Sequence, residues 1–209
     1  MCNKWGQTPK EKDMDPVDII SEKIEELLQR GLLKRGQTPN HPLTVALDGR
    51  CAAGKSTLAD KLSQRYNCNV FHMDDFFLPP GMRTKKRLDI PGENVDHERF
   101  LKEILIPVSV GEDVAYRRFD CHMGDFIDAV MVERKPIVIV EGVYSMHPDL
   151  IGYYDFTAFC DVSAAVQQER IKKRNPEKAD KFFSTWIPLE EKYFECLKIR
   201  SKADIVIEC

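Results

Sequence analysis

Several large classes of protein require features that this sequence lacks. No window approaches the roughly 20 consecutive apolar residues of a membrane-spanning helix, and Met1–Pro16 is polar and charged where an export signal would lead from a basic stretch into an apolar run. Neither a membrane partner nor secretion is expected. The seven cysteines (Cys2, Cys51, Cys68, Cys121, Cys160, Cys196, Cys209) are odd in number, scattered and nowhere spaced as C-x-x-C. That excludes a disulfide framework and a zinc ligand set, and fits a reduced, cytoplasmic setting. Neither sign of charge dominates: 31 Lys and Arg are interspersed among 34 Asp and Glu, for a formal net charge of −3. A nucleic-acid binder needs a basic stripe to displace counterions, and none is present. Internal repeats and low-complexity tracts are also missing. What remains is a chain of 209 residues, 43% hydrophobic, long enough for one sizeable core and suited to a small-molecule partner. A homo-oligomer is compatible with these features.

Residues 1–15 read as disordered, ahead of a docking helix over Pro16–Arg30 with apolar positions at Val17, Ile20, Ile24, Leu27 and Leu28 and a stop at Gly31. This gives an N-terminal extension, 1–40, before a main domain, 41–209. There, Leu43–Leu47 is a short apolar run, Gly54–Tyr66 reads as a helix, and further apolar runs fall at 69–72, 136–140, 156–160 and 203–207. These alternate with helical patterns near 97–106, 163–174 and 188–200. Strands alternating with helices predict an α/β fold, an open parallel sheet flanked by helices on both faces. The segment 75–135, rich in Pro, Gly and charge, is too long for an ordinary connection and is assigned to acceptor binding.

Gly49-Arg50-Cys51-Ala52-Ala53-Gly54-Lys55-Ser56 matches G-x-x-x-x-G-K-[ST] in full, placed between a strand and a helix. Such a P-loop turns its backbone N–H groups around phosphate oxygens, and the following helix presents its positive end. Lys55 is expected on the β- and γ-phosphates, the Ser56 hydroxyl on Mg²⁺, and Thr57 near the α-phosphate. ATP with Mg²⁺ is the implied ligand. GTPases, ATPases and small-molecule kinases all use this loop, but the guanine-reading N-K-x-D is absent, and Asp89-Ile-Pro-Gly92 follows a basic stretch and not a strand.

Two acidic positions close predicted strands, where ligands sit in open α/β sheets. Asp74, in His72-Met-Asp-Asp-Phe-Phe77, is the candidate base that orients an acceptor hydroxyl. Glu141, ending Ile137-Val-Ile-Val-Glu141-Gly142, is a candidate second carrier of Mg²⁺.

Taken with Asn94-Val-Asp-His97, Phe119-Asp-Cys-His122 and Ile139-Val-Glu-Gly142, the P-loop and the Asp74 step resemble the uridine kinase and phosphoribulokinase family, and within it the uridine/cytidine kinases, over about residues 43 to 207. The resemblance implies ATP-dependent phosphorylation of a nucleoside 5′-hydroxyl, with Asp74 as base, Asp96 on the ribose, and Tyr116 and His122 reading the pyrimidine. It also implies that Arg170 and Arg174, one turn apart on one helix face, stabilise the transferring phosphoryl group, and that 175–188 is a lid. Two departures stand out: the family's Asp-x-Phe-Tyr ends in Phe77, and Lys178 and Lys181 stand where an arginine pair is usual. Two readings stay open beside the nucleoside: a kinase for another sugar-, vitamin- or cofactor-like alcohol, and a nucleotide-binding regulator with no acceptor.

Overall fold

The computed structural model describes residues 14–34, 41–120 and 123–209. Most of the expected disordered stretch, 1–13, lies outside them, as does His122. Asp15 is ordered and does a specific job: its Oδ1 accepts the N–H of Val17 at 2.9 Å, capping the first helix just ahead of Pro16, a residue suited to a first helical turn. That helix, α1 (Pro16–Lys34), runs through Gly31. Gly31 is not among the residues with positive φ, so it supplies no left-handed stop.

Five strands form one parallel sheet: β1 (Leu43–Gly49), β2 (Cys68–His72), β5 (Ile137–Glu141), β6 (Phe156–Asp161) and β7 (Ile205–Glu208), in the order β2-β5-β1-β6-β7. All seven residues of β1 are buried, as expected for a central parallel strand covered on both faces. On one face, α1 and α2 (Lys55–Arg65) pack through Ile20, Ile24, Leu58 and Leu62 against Val45, Leu47 and Ile139. On the other, Phe71, Phe76, Phe100, Phe159 and Tyr193 form a second core. Alternate residues of each strand feed the two cores. The chain leaves β1 toward one edge of the sheet and later returns beside it toward the other, so the carboxyl end of β1 lies at the point where strand order reverses, the usual ligand crevice.

The region 75–135 contains structure that the sequence reading did not resolve. Short helices α3 (Lys85–Leu88) and α4 (His97–Phe100) lead through one π turn, Leu101–Leu105, into α5 (Ile106–Ser109). An antiparallel hairpin follows, β3 (Val114–Asp120) with β4 (Asp125–Val132). Its first strand begins with strict alternation, Val114 and Tyr116 inward, but a bulge between Arg117 and Phe119 breaks the period, which hides it from pattern reading.

After β6 come α6 (Ala164–Arg174), α7 (Ala179–Lys181), a π turn at Phe182–Trp186 and α8 (Ile187–Leu197). The expected lid, 175–188, is therefore largely helical. In both π turns a proline follows two residues later, Pro107 and Pro188; proline lacks the N–H that a regular α turn would use there. The helix expected over 188–200 is broken at Lys198, whose φ is 55°, and resumes as α9 (Ile199–Lys202). Among the described residues no helix is long and apolar enough to cross a membrane.

Candidate active site

The phosphate loop is built mainly by its backbone. Gly49 has φ 127°, and a Cβ there would stand 2.0 Å from the Cys160 carbonyl oxygen on β6, so only glycine allows β1 and β6 to approach this closely. Ala52 (φ 59°) and Gly54 (φ 97°) take left-handed conformations, which alternate with right-handed ones to turn successive N–H groups inward as an anion nest. Gly54 then caps the start of α2. Lys55 is buried, its Nζ donating to the carbonyls of Gly49 at 2.7 Å and Arg50 at 2.8 Å. Both carbonyls belong to the loop itself, so the ammonium is held at the mouth of the nest.

Strand register supplies the acidic partners. Glu141 lies beside Leu47 of β1 on one side and His72 of β2 on the other. Its Oε1 accepts from the Ser56 hydroxyl at 3.2 Å and meets His72 Nδ1 at 2.7 Å. That hydrogen bond holds the His72 imidazole above its ordinary pKa. Asp74 follows β2 in a 3₁₀ turn, Met73–Phe76, and is exposed toward the cavity while protein encloses its other sides. This enclosure raises its pKa, Glu141 adds to the rise and Lys55 opposes it. A carboxyl shifted in this direction is a better proton acceptor once ionised, the property required of a general base.

These groups face one cavity of about 680 Å³, within the range of small-molecule sites. Of the predicted nucleotide loop, Cys51, Ala52, Gly54, Lys55, Ser56 and Thr57 line it, whereas Gly49, Arg50 and Ala53 do not. Gly49 and Ala53 are packed behind the loop, and Arg50 points away to Asp161, 2.8 Å from its Nε, and to Glu191. Arg174 lines the cavity; Arg170, one turn earlier, reaches the rim and donates to the Ala52 carbonyl at 3.2 Å. The segment 175–188 adds Lys178, Lys181, Phe182 and Trp186.

Two of the expected acceptor contacts sit elsewhere. Tyr116 stacks on Phe76 with ring centroids 5.6 Å apart, packs edge-on to Phe71, and directs its hydroxyl to Asp75 at 3.4 Å. Asp96 caps α4 by accepting the N–H of Arg99 at 3.1 Å and is 6% exposed. Neither lines the cavity. Asn94, two residues before Asp96, does, and so do Phe77, Arg83 and Tyr144. Tyr144 holds an unusual φ of 79°, and its buried hydroxyl lies near the Asn94 amide without a well-aligned hydrogen bond.

No protein-family model matches the chain. Solved structures do. A protein described as a possible uridine kinase from Bacillus stearothermophilus superposes over 90% of this chain and 98% of its own, at 19% identity and a TM-score of 0.63. D-glycerate 3-kinase from Cryptococcus neoformans var. grubii covers 91% and 94% at 13% identity and TM-score 0.59. A candidate fructose transport system kinase from a Silicibacter species covers 87% and 97% at 24% identity and TM-score 0.56. The chain shares the fold of these solved structures. The uridine kinase-like resemblance read from the motifs thus extends to the whole architecture, an open parallel sheet with the phosphate loop at its centre.

Within that fold, two carboxylates support the site without a motif to announce them. Asp48, fully buried, accepts from Gly49 N at 2.6 Å, Met146 N at 2.8 Å and the Tyr193 hydroxyl at 2.8 Å. It ties the loop to the β5 exit and to α8, and its burial raises its pKa. Glu190 of α8 accepts the Cys51 N–H at 3.1 Å and lines the cavity; burial raises its pKa too. Burial, with Glu190 adding, pushes the Cys51 thiol up to about 12, so this cysteine stays protonated and unreactive. Asp48 precedes the loop directly, the one hint the sequence offered; Glu190 is 139 residues from Cys51 and left none.

Proposed function

We propose that this protein is an ATP-dependent kinase that transfers the γ-phosphoryl group to the hydroxyl of a small molecule. The observation that carries the reading is the convergence of Lys55, Ser56, Glu141 and Asp74 on one cavity, from three strand ends. Magnesium suits the donor set: a hydroxyl and a carboxylate 3.2 Å apart, with a second carboxylate on the same cavity, are hard oxygen ligands. Ser56 and Glu141 would hold it, and it supplies charge neutralisation for the triphosphate.

In this reading the loop amides and Lys55 bind the β- and γ-phosphates. Entry of a polyphosphate gives the Lys55 ammonium an anionic partner in place of two neutral carbonyls. Asp74 accepts the hydrogen bond of the acceptor hydroxyl, aims its oxygen at the γ-phosphorus and takes the proton as the bond forms. Arg174, Lys178 and Lys181 close over the transferring group from the lid side and exclude water, which would otherwise divert the phosphoryl group to hydrolysis. Arg170 braces the loop from outside. The resemblance names uridine or cytidine as acceptor. The structural neighbours are described as kinases of a nucleoside, a sugar and a hydroxy acid, which supports an alcohol without choosing one.

ADP release with a panel of hydroxyl acceptors tests the proposal. Asp74→Asn should lower kcat by about 10²–10⁴-fold and weaken MgATP binding far less. Turnover close to the unaltered protein in that variant would remove Asp74 from the reaction. Firm MgATP binding with no product from any acceptor would move the protein to the class of nucleotide-binding regulators.

A further inference from the structure

Resting on the reading of the site as a magnesium-dependent kinase, we infer that His72 is a positioning residue for the metal: its Nδ1–H holds one oxygen of Glu141 and so aims that carboxylate at the ion. His72 Nδ1 lies 2.7 Å from Glu141 Oε1, and the Ser56 hydroxyl donates to the same oxygen at 3.2 Å. An ionised carboxylate only accepts, so the hydrogen of the shorter bond sits on Nδ1. Neither bond uses Oε2, which leaves that oxygen for the ion or one of its waters.

The sheet sets the pair. Glu141 and His72 are register partners in the parallel ladder of β5 and β2, so their side chains rise side by side from one face. The residues that follow them are in close contact as well. Gly142 has φ 135°, and a Cβ on it would stand 2.7 Å from the Met73 Cβ, so only glycine lets the two strand ends approach this closely. With both backbones fixed, the remaining freedom is rotation of the Glu141 side chain, and the two hydrogen bonds to Oε1 stop it.

A buried carboxylate needs donors merely to be tolerated, and the Glu141 side chain is 7% exposed. The location of this one gives the His72 bond a second consequence. Glu141 lines the cavity together with Ser56, the hydroxyl proposed as the other metal ligand, so the imidazole acts on a donor pair already placed for magnesium. Magnesium demands near-ideal octahedral geometry, and a carboxylate that turns freely must lose that freedom each time the ion binds. Hydrogen bonds from residues behind the ligands therefore raise metal affinity. The bond requires only the Nδ1 hydrogen, which the neutral ring can carry as well as the charged one, so no cation has to stand beside the ion.

The test uses the full chain and measures ATP affinity by calorimetry with magnesium and with EDTA, and Mn²⁺ affinity of the ATP complex by electron paramagnetic resonance. His72→Phe removes the donor and keeps a ring. It should cut the magnesium-dependent gain in ATP affinity and the Mn²⁺ affinity by about tenfold each, while ATP affinity in EDTA stays within about twofold. In turnover, the magnesium concentration for half-maximal rate should rise about tenfold, with a smaller change in kcat. His72→Asn, whose amide donates from the δ position, should recover part of each loss. The His72 side chain is 41% exposed on a strand at the edge of the described sheet, so the fold should accept either change, and His72→Ala is a second donor-free variant. Unchanged metal dependence in the donor-free variants would overturn the inference and leave the kinase reading standing. Equal losses of ATP affinity with and without metal would also overturn it, because His72 would then only hold the fold. No magnesium-dependent gain in the unaltered chain would sink the kinase reading and this inference with it.

Discussion

The glycine-loop end of the cavity and its other end, the proposed acceptor side, are built by different means. At the phosphate end the working groups are mostly backbone: positive φ at Gly49, Ala52 and Gly54 turns the loop, and buried side chains such as Lys55 and Asp48 hold it by hydrogen bonds to carbonyls and amides. At the proposed acceptor end the lining groups are side chains on the turns that link short helices, Phe77, Arg83 and Asn94, steadied by aromatic stacking of Tyr116 on Phe76 and by the Arg99 guanidinium 4.1 Å over the Phe76 ring. Backbone recognition tolerates little change, because a main-chain path cannot move without its neighbours. A side-chain wall can be re-lined one residue at a time, which is how one fold comes to accept different alcohols.

The sharpest way to break this contrast is Gly49→Ala. With its new Cβ 2.0 Å from the Cys160 carbonyl oxygen and φ at 127°, it should cost more than about 4 kcal/mol and abolish MgATP binding, read by urea denaturation and calorimetry. A stable, nucleotide-binding variant would mean that the loop is far more pliant than its packing implies.

A smaller effect tests the acceptor side. His147 is buried under Gly92 and stacked on His97 with centroids 3.9 Å apart; Glu93, Glu98, Asp149 and Arg87 surround the pair. Burial, followed by His97, depresses the His147 pKa from 6.5 to about 4. Between these values the unfolded chain binds a proton that the folded chain refuses, so this residue's contribution is complete above pH 6.5, declines as pH falls and levels off below about 4. Urea midpoints at pH 7, 5.5 and 4.5 should show that decline, and His147→Gln should flatten it.

The smallest change is expected from Tyr116→Phe. It removes one long hydrogen bond, 3.4 Å to Asp75, and keeps the stacking, so stability should fall by less than about 1 kcal/mol and acceptor KM should stay within about twofold. A large rise in KM for uridine would bring Tyr116 back to the acceptor and sharpen the case for a nucleoside.

Legibility followed the same division. The P-loop, Asp74 and Glu141 were readable because each is contiguous with a strand end, and strand ends of a parallel sheet meet the ligand whatever the rest of the chain does. Asp96 was read as a ribose contact from its motif, but local hydrogen bonding makes it a helix cap. Arg170 and Arg174 share a helix face by their spacing, yet about 6 Å of helix rise puts Arg174 on the cavity and Arg170 against the Ala52 carbonyl. Arg83 and Glu190 had no spacing signal, since an isolated charge becomes a site residue only through what folds beside it.

By itself the sequence determined the five strands of the main sheet, the helices that alternate with them outside 75–135, and the glycine-loop motif, because those depend on local backbone preferences and on apolar period. Only the tertiary structure decided which carboxylate meets Ser56, which tyrosine is core and which carboxylate meets the Cys51 amide. Those are contacts across 41 to 139 residues of chain, fixed by strand register and packing, and no local rule encodes them.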